Sequence, residues 1–195
     1  MKLIITRHGE TEENRRGIIQ GHLPGTLSEL GRGQAEKLAE RLKRKRIDLI
    51  ISSDLARALD TARIVAKFHQ DIDFILDKRL RERFLGEFQG KTKEEFGIQK
   101  TESIADHISG GNAEDNKSFF SRAGSLIKET MKRFEENILL VGHNGIGKAI
   151  IGNLLCKKAE ELSEIKKLGN TSVTIFEERD RIMNLKLLNC TKHLE

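Results

Sequence analysis

The sequence predicts an α/β fold: a three-layer α/β/α sandwich around a mostly parallel central sheet, with a small helical cap insert at about residues 83–120. Two observations carry this. Short apolar runs such as Leu3-Ile4-Ile5 and Ile138-Leu139-Leu140-Val141 alternate with longer stretches of helical spacing. No Gly/Ser-rich linker, repeat or low-complexity tract breaks the alternation, and the single proline, Pro24, marks no boundary. Residues 1–195 therefore read as one domain.

Each element follows from local pattern. Residues 2–6 read as a short buried strand. Residues 28–45 have helical spacing, with Leu30, Leu38 and Leu42 along one side and Ser28 as N-cap. Residues 48–52 form a second strand and 54–68 a second helix, after Ser52-Ser53. A third strand falls at 73–76. A long helix over 117–136 runs into a fourth strand at 138–141, and 145–155 are helical again. The chain closes with a strand pair at 172–177 and 182–187.

Composition excludes several classes. Hydrophobic residues at 37%, recurring along the whole length, argue against disorder. No apolar stretch approaches the roughly 20 residues that span a bilayer, so no membrane is expected as a partner. Arg7 and His8 interrupt the first apolar run early, which does not suit a secretory signal. The two cysteines, Cys156 and Cys190, make neither a disulfide framework nor a zinc site, and a cytoplasmic setting is expected. The net charge of +5 lies entirely in Arg41-Leu42-Lys43-Arg44-Lys45-Arg46, since the rest of the chain is balanced. That run ends a helix, where cations oppose the helix dipole, and it lacks interleaved aromatics. No nucleic-acid partner is expected, and the protein is expected as a monomer or homodimer.

Ligands of open α/β sheets bind where the strands end at their carboxyl edge. Three polar clusters follow strands here: Arg7-His8-Gly9-Glu10-Thr11, Ser52-Ser53-Asp54-Leu55-Ala56-Arg57 and Gly142-His143-Asn144-Gly145. In a parallel sheet they gather two arginines and two histidines in one crevice. Arginine's planar fork suits phosphate oxygens and stays charged at working pH. A neutral imidazole in such an oxyanion cage can attack phosphorus and form a covalent intermediate. Taken singly, a histidine after a strand is ordinarily structural, and Arg57 is an ordinary solvated helix residue. The common edge separates the two readings.

Arg7-His8-Gly9-Glu10-Thr11 resembles the signature of the histidine phosphatase superfamily, the phosphoglycerate mutase-like proteins. The resemblance covers nearly the whole chain. Asn14 and Gln20-Gly21 resemble its phosphate-contacting loop, and Leu27-Ser28-Glu29-Leu30-Gly31 with Gln34-Ala35 its first long helix start. Ser52-Ser53-Asp54-Leu55 with Arg57-Ala58 and Thr61-Ala62 is similar to the second motif. Leu80-Arg81-Glu82-Arg83 with Gly86 and Gln89-Gly90 resembles the acid-bearing loop. Asn170-Thr171-Ser172-Val173 resembles the late Asn-x-Ser strand, and Asn189 to Leu194 the tail. The resemblance implies His8 as nucleophile, Arg7, Arg57 and His143 as holders of the phosphoryl oxygens, and Glu82 as general acid. It implies Asn14, Gln20, Gly21, Asn144 and Lys93 as substrate contacts. The cage supplies the charge, so neither metal nor other cofactor is called for, and no ligand-spaced His/Asp cluster is present. Without that role Glu82 is a solvated charge among Arg79, Arg81 and Arg83.

Three other readings compete. Gly142 to Ala149 nearly spells a P-loop, but Ala149 stands where a hydroxyl must hold Mg²⁺. A non-enzymatic binding module would not need the complete set His8, Arg7, Arg57, Glu82 and His143. A phosphoglycerate mutase is the nearest alternative: Lys93 stands where those mutases have a substrate-contacting lysine, and Leu27-Ser28-Glu29 has a mutase flavour. Residues 99–116, however, carry one lysine against Glu102, Asp106, Glu114 and Asp115, a poor lid for a bisphosphate. Gly110-Gly111-Asn112-Ala113 stands where many phosphatases have Gly-Glu-Ser. An open, acid-lined mouth favours water as acceptor, so a phosphatase acting on a small phosphorylated metabolite is expected. His22 follows the phosphate loop, whereas His69, His107 and His193 read as surface or packing residues. Phe84, Phe88, Phe96, Phe119 and Phe120 read as packing for the cap.

Overall fold

The computed structural model describes residues 1–69, 71–99, 104, 107, 112–134 and 137–195. Its strands are β1 (Lys2–Arg7), β2 (Leu49–Ser52), β3 (Asp73–Leu76), β4 (Asn137–Gly142), β5 (Val173–Arg179) and β6 (Ile182–Cys190). They form one sheet in the order β3-β2-β4-β1-β5-β6. The first four are mutually parallel, and β5 and β6 close the sheet antiparallel. The helices are α1 (Glu12–Arg15), α2 (Glu29–Leu42), α3 (Ala56–Ala66), α4 (Asn116–Arg133) and α5 (Asn144–Leu154).

Strand alternation divides the core into two faces. Leu3, Ile5, Leu49, Ile51, Ile138 and Leu140 pack with α4 and α5 through Phe119, Ala123, Leu126, Ile146 and Ile150. Ile4, Ile50, Leu139 and Val141 pack on the opposite face with Leu38, Ala39 and Leu42 of α2 and Ala58, Ala62 and Val65 of α3. Strands buried on both faces read as continuous apolar runs, as β1 and β4 do. Each fully buried Leu or Ile contributes roughly 1.5–3 kcal/mol, so this sandwich holds its carboxyl edge firmly.

Helix ends follow their caps. Ser28 Oγ accepts the Gly31 amide at 3.0 Å and starts α2. Leu30 differs from expectation: it is 59% exposed, and the buried face is Gly31, Ala35, Leu38, Ala39 and Leu42. At about 100° per residue Leu30 falls off the stripe that Leu38 and Leu42 share, whereas Gly31, whose backbone meets that of Glu10, falls on it. Asp115 caps α4 through the Ser118 amide at 2.9 Å. The expected helix over 117–136 ends at Arg133, and 135–136 lie outside the described residues. Strand β6 runs past 187 to Cys190, helped by the Asn189 amide on Thr174 Oγ1 at 3.0 Å.

Between Leu80 and α4 the described residues carry two short 3-10 turns, Gly86–Phe88 and Glu94–Phe96. The phenylalanines divide. Phe88 and Phe96 pair at 4.5 Å and Phe84 meets His22, whereas Phe119 is buried in the main core with Phe120 packed against it. Glu102, Asp106 and Gly110-Gly111 lie outside the described residues.

Candidate active site

The carboxyl ends of β1, β2 and β4 lie level, because Arg7 pairs with Gly142 and Ser52 with Val141. The next residue of each strand therefore emerges at one place: His8, Ser53 and His143. The His8 amide still bonds the Gly142 carbonyl at 3.0 Å, and the Ser53 amide the Val141 carbonyl at 3.0 Å. Gly9 then turns the chain directly beneath α2. A Cβ there would strike the Gly31 carbonyl, and one on Gly31 would strike that of Glu10. Both glycines are required by this backbone crossing.

His8 is buried, with Nδ1 2.6 Å from the Gly9 carbonyl oxygen. A carbonyl only accepts, so Nδ1 carries the ring proton and Nε2 keeps its lone pair. That lone pair accepts Arg57 Nε at 3.2 Å. Burial, then the charges of Arg57 and Arg7, hold the His8 pKa well below the usual histidine range, against the opposing Gly9 bond. The ring is neutral at physiological pH, as a nucleophile must be.

The His143 ring meets His8 edge-on at 5.1 Å. Its Nε2 lies 2.9 Å from Ser53 Oγ, which already accepts the Leu55 amide. The serine hydroxyl keeps a proton and a second lone pair, so it can serve either tautomer of the ring. Burial, then Arg57, keeps this ring neutral as well. Buried His143 Nδ1 and Arg7 Nε have no hydrogen-bond partner among the described residues. An unspent buried donor such as Arg7 Nε costs about 1–3 kcal/mol and suits an anion.

The arginines are held by carbonyls. Arg7 gives one nitrogen to the Leu168 carbonyl at 2.8 Å. Arg57, on the first turn of α3 and 1% exposed, binds the carbonyls of Gly21 at 2.8 Å, Pro24 at 3.1 Å and Leu23. Burial lowers the Arg57 pKa to about 10, opposed by the Glu82 charge, and lowers that of Arg7 in the same way. Both stay charged at neutral pH. Glu82 is therefore close enough to act on both guanidinium groups. Its carboxylate accepts the amides of Gly145 at 2.9 Å, Arg83 at 2.9 Å and Ile146 at 3.2 Å. Gly145 is needed because a Cβ would strike Glu82 Oε1.

The chain belongs to the histidine phosphatase superfamily (branch 1), matched over residues 3–191. It is 33% identical over 184 residues to phosphoglycerate mutase-like protein 4 of Arabidopsis thaliana, covering 90% of this chain and 78% of that protein. It is 32% identical over 189 residues to the metal-independent phosphoserine phosphatase of the same plant, covering 92% and 77%. The solved structure of Bacillus stearothermophilus YhfR superposes with a TM-score of 0.88 at 30% identity, over 100% of this chain and 99% of that one. This histidine phosphatase is an enzyme of the superfamily's kind.

The remaining expected residues fall around the cage. Asn14 Oδ1 accepts the Thr11 amide at 3.2 Å and completes the capping box in which Thr11 caps α1. Gln20 Nε2 donates to Thr11 Oγ1 at 2.8 Å, while its buried Oε1 has no partner among the described residues. Gly21 lends its carbonyl to Arg57, and Asn144 Oδ1 accepts the Leu168 amide at 2.9 Å. Lys93 is half-buried just before the Glu94–Phe96 turn. The P-loop likeness dissolves, because α5 begins at Asn144 and its Gly145 and Ile146 amides are bound to Glu82.

The arginines flanking Glu82 are engaged elsewhere. Arg79 pairs with Asp77 and Glu129, Arg81 with Asp54, and Arg83 bonds the Glu114 carbonyl and Asn116. The expected acidic mouth is not met at Glu114 and Asp115. Glu114 pairs with Arg122 at 2.8 Å, and Asp115 caps α4. His22 Nε2 donates to the Glu82 carbonyl at 2.8 Å, so it supports the acid loop. Arg122, which carried no motif, donates to the carbonyls of Arg79 at 2.6 Å, Arg81 at 3.0 Å and Glu82 at 3.3 Å. Among the described residues, no group of three His, Cys, Asp or Glu side chains could hold a metal ion.

Proposed function

We propose that the protein hydrolyses a small phosphomonoester through a phosphohistidine on His8. The observation that carries this reading is the Nε2 lone pair of a neutral His8, held by Arg57 Nε in a buried cage where Arg7 Nε and His143 Nδ1 have no partner among the described residues. Nε2 attacks phosphorus, and the phosphorus–oxygen ester bond breaks with its electrons passing to the leaving oxygen. Glu82 gives that oxygen a proton, so the alcohol departs neutral. Water then attacks the phosphohistidine and loses a proton to the Glu82 carboxylate. The phosphorus–nitrogen electrons return to Nε2, and inorganic phosphate leaves. Arg7, Arg57 and His143 hold the phosphoryl oxygens throughout.

Asn14, Gln20, Gly21, Asn144 and Lys93 complete the reading as substrate contacts, within a single domain whose cap spans about 83–120. The superfamily match, together with a relative named as a phosphoserine phosphatase, supports hydrolysis over transfer between hydroxyls. Unpaired Cys156 and Cys190 are consistent with a cytoplasmic home.

Quenching the protein in alkaline SDS after mixing with a ³²P-labelled phosphomonoester tests the reading. The expected result is an acid-labile, base-stable phosphoprotein that His8→Ala abolishes, with phosphate released at the rate of turnover. Conversion of 3- to 2-phosphoglycerate outpacing phosphate release would overturn hydrolysis in favour of a mutase.

A further inference from the structure

The peptide that joins His8 to Gly9 is held from both sides by side chains of distant elements. Its carbonyl, that of His8, accepts Asn170 Nδ2 at 3.0 Å. Its amide, that of Gly9, donates to Thr61 Oγ1 at 3.1 Å. An amide only donates, so the Thr61 oxygen accepts there, and the hydroxyl proton goes to the Arg57 carbonyl at 2.8 Å. Thr61 is fully buried on α3, one turn after Arg57, where a threonine hydroxyl reaches the carbonyl four residues back.

These bonds close a circuit. His8 Nδ1–H donates to the Gly9 carbonyl at 2.6 Å, the Gly9 amide to Thr61, and Thr61 to the Arg57 carbonyl; Arg57 Nε returns to His8 Nε2 at 3.2 Å. His8 and Arg57 are thus tied twice, directly and through Thr61. Gly9 is the weak point of the ring, because a residue without Cβ does little to fix the direction of its own carbonyl. The two bonds to the preceding peptide supply that constraint.

We infer that Thr61 and Asn170 are positioning residues for the phosphohistidine step: by clamping the His8–Gly9 peptide they keep the Gly9 carbonyl on Nδ1–H and so aim Nε2 at phosphorus. As the nitrogen–phosphorus bond forms at Nε2, the ring becomes cationic and its proton stays on Nδ1. The bond to the Gly9 carbonyl is then charge-assisted, about twice as strong as a neutral one. It stabilises the transition state more than the ground state, provided the carbonyl is already in place. Neither clamp residue needs to touch substrate.

The clamp rests on the phosphatase reading of His8, so it is measured in two independent ways. The first needs no turnover. In protein labelled with ¹⁵N-histidine, the His8 ring proton, assigned by its loss in His8→Ala, should lie far downfield on Nδ1 and exchange slowly with water. Thr61→Val removes the hydroxyl at nearly constant shape and should move that proton upfield and speed its exchange about tenfold. Asn170→Ala, at a half-buried position, should do the same and carries the test if Thr61→Val does not fold. Thr61→Ser should restore the wild-type signal. The second measurement is rapid quenching at saturating ³²P-phosphomonoester. Phosphorylation of His8 should slow about tenfold in either variant, the scale of one hydrogen bond, while inorganic phosphate binds within about twofold of wild type. The double variant should lose little more than the worse single one, because both residues hold one peptide. A ring proton unmoved in the folded variants would overturn the clamp, as would Thr61→Ser behaving like Thr61→Val or phosphate binding falling as far as the rate. A wild type that forms no phosphoprotein, with the ring proton still shifted in both variants, would refute the phosphatase reading and leave the clamp on the His8 ring standing.

Discussion

Arg57 Nε donates to His8 Nε2 across 3.2 Å, so the strongest cation of the cage touches the atom that must attack phosphorus. The contact is possible only because three loop carbonyls, of Gly21, Leu23 and Pro24, aim the rest of the guanidinium. A lysine would keep the charge and lose the fork. Arg57→Lys should therefore lower kcat/KM by about 10²–10³-fold, the usual cost of a preorganised oxyanion donor. Single-turnover trapping should show slower formation of the phosphohistidine. An unchanged trapping rate would mean that charge alone suffices.

Acid should destabilise the fold through the two caged histidines. His8 and His143 are buried and titrate well below the ordinary value of 6.5. Below that value the unfolded chain binds protons that the folded one refuses, so stability rises with pH and falls as pH drops. The loss begins near pH 6.5 and grows by at most about 1.4 kcal/mol per pH unit for each ring. Urea unfolding at pH 6.5 and 5.5 should differ by about 2 kcal/mol on their account. His143→Gln should remove about 1 kcal/mol of that difference. A flat profile over the interval would show that the rings titrate normally.

Gly31→Ala should destabilise although α2 is a helix that alanine ordinarily favours. The added Cβ would collide with the backbone of Glu10, which follows the nucleophile's own turn and has no side-chain slack to give. The expected cost is about 2–3 kcal/mol in chemical unfolding, the scale of an overpacked core site. Gly33→Ala, two residues on and with open space around it, serves as the control and should be neutral or slightly stabilising. Similar losses at both positions would mean that the helix, and not the crossing, is being read.

The sheet and the cage were legible because they depend on local signals. Apolar runs with polar residues at their carboxyl ends fixed β1, β2 and β4, and level ends followed from a parallel register. The rim was not legible. Leu168 carries no pattern of its own and reaches the site because its carbonyl is taken by Arg7, some 160 residues away in sequence. The acids of 99–116 misled for the complementary reason. Their charges could be counted, but the engagement of Glu114 by Arg122 and of Asp115 by Ser118 is a matter of helix start and packing. Leu30 was misread for a simpler reason, since helical spacing puts Gly31 and not Leu30 on the stripe of Leu38 and Leu42.

Arg122 should act on catalysis through Glu82 without touching substrate. Its guanidinium sits 5.0 Å over the Phe119 ring, is balanced by Glu114, and gathers the carbonyls of Arg79, Arg81 and Glu82. Those carbonyls form the backbone from which the Glu82 carboxylate projects, so Arg122 is a positioning residue for the general acid. Lysine can pair with Glu114 but cannot span three carbonyls. A general acid matters most when the leaving oxygen is basic. Arg122→Lys should therefore cut hydrolysis of an alkyl phosphate such as glycerol 3-phosphate by about 10–100-fold, while p-nitrophenyl phosphate, whose phenolate leaves unaided, falls only a few-fold. Glu82→Gln should show the same split more steeply. Loss of fold alone would depress both substrates in parallel with the fraction unfolded, which a melting curve measures alongside. Parallel losses in a folded variant would place the influence of Arg122 on the phosphoryl cage instead of on the acid.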